Sequence, residues 1–180
     1  ITDSQVNNTA LYMKLAYDPQ KDFAFITLVV RSPALISTHP GTGIKSMADL
    51  KAKAAKGDVK LSYGSWGIGG LGHLAGESLN RSLKANMVHV PQRGEGPVVS
   101  DLLSGTVDVG LSSVASALQH VPSGKVVPLA VLGPQRSTSL PQVPTMIELG
   151  FKDPLYETNV WIGFLAPAKT PQAIIDRLNK

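Results

Sequence analysis

The sequence predicts an α/β fold arranged as two lobes, and three observations predict it. Short apolar runs alternate with helix-period apolar stripes along most of the 180 residues, the pattern of strand–helix units around largely parallel sheets. A glycine-rich loop joins one such run to one such stripe. Two proline-broken extended segments, residues 29–39 and 125–134, bracket the central units as strands passing between lobes. On this reading residues 41–126 form a central lobe, and residues 1–40 pair with 127–180 as a second, incomplete one.

The elements follow in order. Residues 23–30 read as a buried strand, and residues 34–38 continue as an extended piece after the Pro33 break. Ser46 to Asp49 make a capping-box-like start, after which Met47, Leu50 and Ala54 share a helical face until Gly57. Residues 59–63 read as a strand emptying into the glycine loop, and Leu71, Leu74, Ala75, Leu79 and Leu83 trace the helix beyond it. A strand at 87–90 leads to a helix opened by Pro97, carrying Val98 and Leu102 and stopped by Gly105. A strand at 107–111 precedes a short helix around 115–120. Residues 125–132 are extended, with Pro128 excluding a fully bonded central strand position. Thr145 to Glu148 make a second capping box, and residues 160–165 a late strand. Thr170-Pro171 opens a last helix with Ile174, Ile175 and Leu178 on one face. The chain opens without Met or a signal-peptide pattern, and this last stripe has no closing glycine. The sequence therefore reads as an internal stretch of a longer protein.

Composition removes whole classes of function. With 43% apolar and 17% charged residues the chain can bury a substantial core. Its net charge of +4 is scattered, with only Lys51, Lys53 and Lys56 close together, which is too thin for a nucleic-acid footprint. Aromatic residues at 6% are too few for base-stacking platforms. Cysteine is absent, which excludes disulfides, iron–sulfur clusters, cysteine zinc sites and thiol nucleophiles. No apolar run is long enough to cross a bilayer as a helix. His39, His73, His89 and His120 lack metal-ligand spacing, and neither a nucleophile elbow nor a P-loop is present. No catalytic group, metal or cofactor is expected.

Binding chemistry concentrates at strand-to-helix junctions. Residues 64–72 (GSWGIGGLG) set backbone N–H groups at a helix start, where they and the helix dipole favour an anion. Ser65 adds a hydroxyl donor, and Gly67, Gly69, Gly70 and His73 complete the candidates there. Gly67, Gly69 and Gly72 also satisfy G-x-G-x-x-G, with Glu95 near the distance of a ribose-binding acid. A nucleotide-binding α/β enzyme is therefore the competing reading, and a plain glycine turn the third. At the second junction Arg93, beside Gly94, either reaches a carboxylate through its two-pronged guanidinium or stays solvated. Ser112 and Ser113 follow the third strand. Ligands of open α/β sheets gather outside the carboxyl ends of strands, so the three junctions should converge. Trp66 and Trp161 are core or cleft walls.

A set of short motifs carries a resemblance along nearly the whole chain. Tyr17-Asp18-Pro19 with Lys21-Asp22-Phe23, and Gly64-Ser65 leading to His73-Leu74-Ala75-Gly76-Glu77, come first. His89-Val90-Pro91 with Gly94 and Gly96-Pro97, Leu140-Pro141 with Val143-Pro144-Thr145, and Leu165-Ala166-Pro167 with Thr170-Pro171 follow. The chain resembles the Bug family of periplasmic solute receptors, the substrate-binding proteins of tripartite tricarboxylate transporters. The resemblance implies a type II periplasmic-binding-protein fold, two lobes on a hinge with one lobe incomplete. It implies a non-enzymatic periplasmic receptor that captures a small di- or tricarboxylate or related organic acid and delivers it to membrane transporter subunits. Carried over by position, Ser65, the backbone of residues 67–70 and His73 match the family's anion loop. Arg93 and Gly94 match its second loop, and Thr2 and Ser4 sit where the other lobe offers hydroxyls. Two positions depart from the pattern: Gly70 replaces a common hydroxyl residue, and Gln92 replaces the usual aromatic.

Overall fold

The computed structural model describes residues 2–56 and 60–180. The helix stop expected at Gly57 and the strand start expected at Val59 lie outside them. Two sheets organise the chain. β1 (Phe23–Ser32) and β7 (Val160–Pro167) form an antiparallel pair, registered from Phe23 opposite Pro167 to Ser32 opposite Val160. The second sheet has the order β4-β3-β5-β2-β6. Its strands are β2 (Ala34–Thr38), β3 (Ser62–Ser65), β4 (Val88–Pro91), β5 (Val109–Ser113) and β6 (Val127–Val131).

This topology corrects two expectations. β3, β4 and β5 pair in parallel, but β2 alone runs the other way, antiparallel to both β5 and β6, so the sheet is mixed. Residues 34–38 and 127–131 thereby belong to the central sheet, which reaches beyond the expected 41–126 on both sides. The proline constraint holds: β6 is an edge strand, and the β2–β6 register shifts at Ile36/Ser37, beside Pro128.

Helices cover both faces. α2 (Met47–Lys56) begins as expected, with the Asp49 N–H donating to Ser46 Oγ at 3.1 Å. α3 (Leu71–Leu83) buries Leu71, Ala75, Leu79 and Leu83 along one stripe and packs on β3. α4 (Glu95–Ser104) starts two residues before Pro97 and ends on Gly105 in the left-handed conformation. Short α5 (Val114–Ala117) follows β5, and α6 (Gln172–Leu178) closes the chain at Asn179. Side chains of β2 alternate between two cores, as a period of two requires. Ile36 joins Leu50, Tyr63, Leu79 and Met146 on one face, while Leu35 joins Leu102, Val107 and Leu140 on the other. Truncating a fully buried member such as Leu79 to Ala would cost about 2–5 kcal/mol.

Three further differences are physical. The run at 23–30, expected to be buried, exposes Phe25 (63%), Val29 (51%) and Leu28 (48%), because its sheet has two strands and no layer over that face. The Thr145–Glu148 box forms both reciprocal bonds, at 2.7 and 3.1 Å, yet closes a turn instead of a helix. An unexpected helix, α1 (Asp3–Leu11), buries none of its residues, so its apolar pattern carries no stripe. Its start is held by Gln5 Oε1, which accepts the Thr2 N–H at 2.9 Å.

Candidate functional site

β3 ends at Ser65 and β4 at Pro91, so the loops that follow them open side by side. α1 lies across these loops. Between them is a cleft of about 660 Å³. Of the residues expected to bind, Thr2, Ser4, Gly67, Arg93 and Gly94 stand on its wall, with Trp66 and Glu95 beside them. Ser65, Gly69, Gly70 and His73 lie in the layer behind. Ser112 is carried elsewhere: it is 2% exposed within β5, opposite Leu35, and its hydroxyl donates to Ser113 O.

The glycine loop is bound largely from inside. Leu71 donates its N–H to Asp3 Oδ2, so the N-terminus of α3 already holds a carboxylate from α1. Burial raises the pKa of that carboxyl above its ordinary value, opposed by its hydrogen bonds with Leu71 foremost. Asn7 Nδ2 donates to Gly69 O at 2.8 Å, and the Gly69 N–H donates to His73 Nδ1 at 3.1 Å. These two amides, Gly69 and Leu71, serve protein groups. Gly69 has a φ of 77°, the left-handed conformation that favours glycine, while a Cβ there would meet only the movable tip of the exposed Leu11 side chain. A Cβ at Gly70 would stand 3.0 Å from Ser4 Oγ. Ser4 thus brings a hydroxyl to the place where a side chain at 70 would project.

Ser65 is fully buried. Its hydroxyl lies 2.7 Å from His89 Nε2 and 3.3 Å from Gly67 O, which makes it a brace for the loop. His89 is stacked between Tyr63 and His73. Burial, and secondarily the charge of His73, push His89 down to about 4, while Glu77 opposes the shift. Tyr63 donates to Glu77 Oε1 at 2.5 Å; burial first, and that carboxylate second, hold the phenol well above its ordinary range.

The charge exposed to the cleft is therefore simple. Among the described residues Arg93 has no ion-pair partner, and its side chain is exposed. Glu95 is committed: it accepts from Ser113 N at 3.1 Å, Ser113 Oγ at 2.6 Å and Ser116 Oγ. Both its oxygens are used, so it is not free for a ribose. Gly72 of the competing fingerprint packs on Trp66, whose ring a Cβ would approach to 2.7 Å. Gln92 donates its side-chain amide N–H to Asp101 on α4, and its backbone carbonyl lies beside Gly67. Among the described residues no group of His, Asp and Glu is placed to hold a metal ion. A second cavity of about 790 Å³, between Val6, Tyr12, Met13 and Phe25, offers an acid, Asp18, and no cation, which suits an anion poorly.

Sequence reasoning missed Asp3, Asn7 and His89. The spacing Thr2-x-x-Gln5 marks the start of α1 and was the available signal for the first two; nothing in the periodicity pairs His89 with Ser65.

The comparisons with known proteins agree on one family. The family model described as "Tripartite tricarboxylate transporter family receptor" matches residues 1–180. The chain is 33% identical over 180 residues to the UPF0065 protein in the tcbD-tcbE intergenic region of Pseudomonas sp. (strain P51), covering 97% of this chain and 53% of that protein. It spans about half the length of the curated relatives it matches. Among solved structures, the periplasmic binding protein BugD superposes with a TM-score of 0.91 at 32% identity, over 99% of this chain and 59% of that one. R. palustris Rpa4515 with adipate gives 0.86 at 32% identity, over 93% and 56%. MatC (Rpa3494) from Rhodopseudomonas palustris with bound malate gives 0.85 at 30%, over 96% and 58%.

Proposed function

Because the chain belongs to the tripartite tricarboxylate transporter receptor family and shares the periplasmic-binding-protein fold of BugD, we propose that it is the core of a periplasmic receptor for a small carboxylate. The observation that carries this reading is the unpaired Arg93 guanidinium on a cleft whose wall also holds the Gly67 and Gly94 backbone, the Ser4 hydroxyl and the apolar side chains of Trp66 and Ile162. One carboxylate takes the two-pronged guanidinium. Ser4 offers a hydroxyl from the opposite wall, where the Thr2 hydroxyl donates to Gln5 Oε1 at 3.1 Å, and Gly67 and Gly94 let the ligand approach the backbone closely. Glu95 spends both oxygens on Ser113 and Ser116 and so ties the base of α4 to the end of β5. The neighbours solved with adipate and malate make dicarboxylates the first probes.

The protein acts by binding and release, without chemistry on its ligand, and hands the carboxylate to the membrane subunits of a tripartite transporter. The strand connections at Ser32-Pro33 and Gly133-Pro134 are the hinge. Thermal-shift and calorimetric titration with adipate, malate, citrate and NAD tests the reading. Stabilisation by at least one carboxylate and none by NAD is expected, since a ligand of the native state raises apparent stability. A shift with NAD alone would replace the receptor by the nucleotide-binding enzyme.

A further inference from the structure

Three rings stand in a stack behind the glycine loop. The Tyr63 ring lies on one face of His89, with centroids 4.8 Å apart and planes 21° apart. His73 lies on the other face, 4.2 Å away at 14°. The stack is tied to the loop at two points, through Ser65 Oγ on His89 Nε2 and through the Gly69 N–H on His73 Nδ1. The second tie has only one chemical form. A backbone N–H donates and cannot accept, so Nδ1 must present its lone pair and the ring proton must sit on Nε2. An imidazolium carries a proton on both nitrogens. The Gly69 bond therefore exists only while His73 is neutral.

We propose that His73 is a positioning residue of the carboxylate cleft, holding the glycine loop in its binding shape through the Gly69 amide and releasing it on protonation. The inference rests on the carboxylate-receptor reading and adds to it a dependence of capture on pH. His73 stands away from the cleft wall and acts through Gly69, which is followed by Gly70 against Ser4 and preceded by Gly67 on the wall itself. The groups around it are accounted for. From β4, His89 is neutral above about pH 4 and presents no charge to its neighbour in ordinary solution. From β3, Tyr63 is a neutral phenol donating to Glu77, which lies one turn along α3 from His73 itself. From α1, Asp3 faces the Leu71 amide. Arg93 is on the cleft wall, across the loop. With Tyr63 and His89 both neutral, protonating His73 adds a positive charge to the stack and puts a second N–H against that of Gly69.

The test combines an NMR titration of the ligand-free protein with calorimetry. The Gly69 amide resonance should move with pH along the same curve as the His73 ring. Adipate and malate affinities are measured at pH 7.5 and 6.0 for wild type, His73→Leu and His73→Asn. His73→Leu should bind about fivefold more weakly at pH 7.5, the effect of one lost hydrogen bond. In His73→Asn the side-chain oxygen takes the place of Nδ1 as an acceptor that does not titrate. It should recover most of what Leu loses and bind with a flatter pH profile than wild type; the ligand's own titration is common to both. A Gly69 amide indifferent to His73, or equal pH profiles for wild type and His73→Asn, overturns the proposal. If neither dicarboxylate binds any of the proteins, the receptor reading fails for those ligands, and the amide titration alone decides the role of His73.

Discussion

Asp3 accepts the backbone N–H of Leu71, 68 residues further along the chain. A residue of α1 thereby caps α3, whose own flanking residue, Gly70, has no side chain to do so. The cleft lies beside this bond, with Thr2 and Ser4 on one side of it and Trp66 and Gly67 on the other. The same short helix thus closes the central layer and supplies one wall of the site.

Removing that cap should cost about 1 kcal/mol, the usual value for a lost helix N-cap. Asp3→Ala is expected to lower the urea midpoint accordingly. Asp3→Asn keeps an acceptor for Leu71 and removes a carboxylate that burial disfavours, so it should stay within about 0.5 kcal/mol of wild type. An alanine variant as stable as wild type would show that the bond contributes nothing.

Arg93 supplies the unpaired cation of the cleft. Arg93→Ala should weaken adipate or malate binding about tenfold to a hundredfold, the scale of a charge-assisted pair. Arg93→Lys should recover only part of this, because an ammonium lacks the planar fork. Full recovery with Lys would mean that charge alone is read.

Stability should fall in mild acid through His89. Unfolded, the ring takes its proton near 6.5; folded, it resists until about 4. Between those values the unfolded state binds more protons, so the contribution is complete above pH 6.5 and is lost as pH falls toward 4. Solvent reaches part of the ring, which reduces the loss to about 1–2 kcal/mol. Urea unfolding at pH 7.5 and 4.5 should show a smaller acid loss in His89→Gln than in wild type. Identical losses would show that His89 has no part in the acid response.

Gly72→Ala should cost about 1–3 kcal/mol, since its Cβ meets the Trp66 ring at 2.7 Å within a packed layer. Gly96→Ala, with open space around it and no left-handed backbone, should fall within about 0.5 kcal/mol. Calorimetric melting of both variants checks the contrast. Equal values would mean that the Trp66 ring moves aside freely.

What could be read before the structure was the alternation of elements and the junctions where ligands gather. Leu71, Ala75, Leu79 and Leu83 announce α3 because apolar residues at that spacing share one face only when the backbone is helical. Gly105 ends α4 because the left-handed position it fills excludes most residues. The arrangement of β2 was hidden, since its five fully buried residues look alike whether their neighbours are parallel or antiparallel. α1 was hidden because it has no apolar stripe, and with it went the carboxylate that occupies the start of α3. The partner of Ser65, a histidine on the neighbouring strand, is not legible from spacing either. Donor and acceptor types are legible in a sequence; which of them satisfy one another is settled only by packing.

The position of β2 also orders the events of folding. This strand precedes β3 and β5 in the chain, yet it lies between β5 and β6, and its Ser37 hydroxyl reaches Gly110 O across 73 residues. A nascent chain carrying β2 alone has no edge to join until β5 has been made, and the sheet closes only when β6 arrives. Each of these pairings must close a long loop before any ladder bond repays it. Until residue 131 has emerged, a strand that ends up buried along its whole length is without the neighbours on either side that it will eventually have.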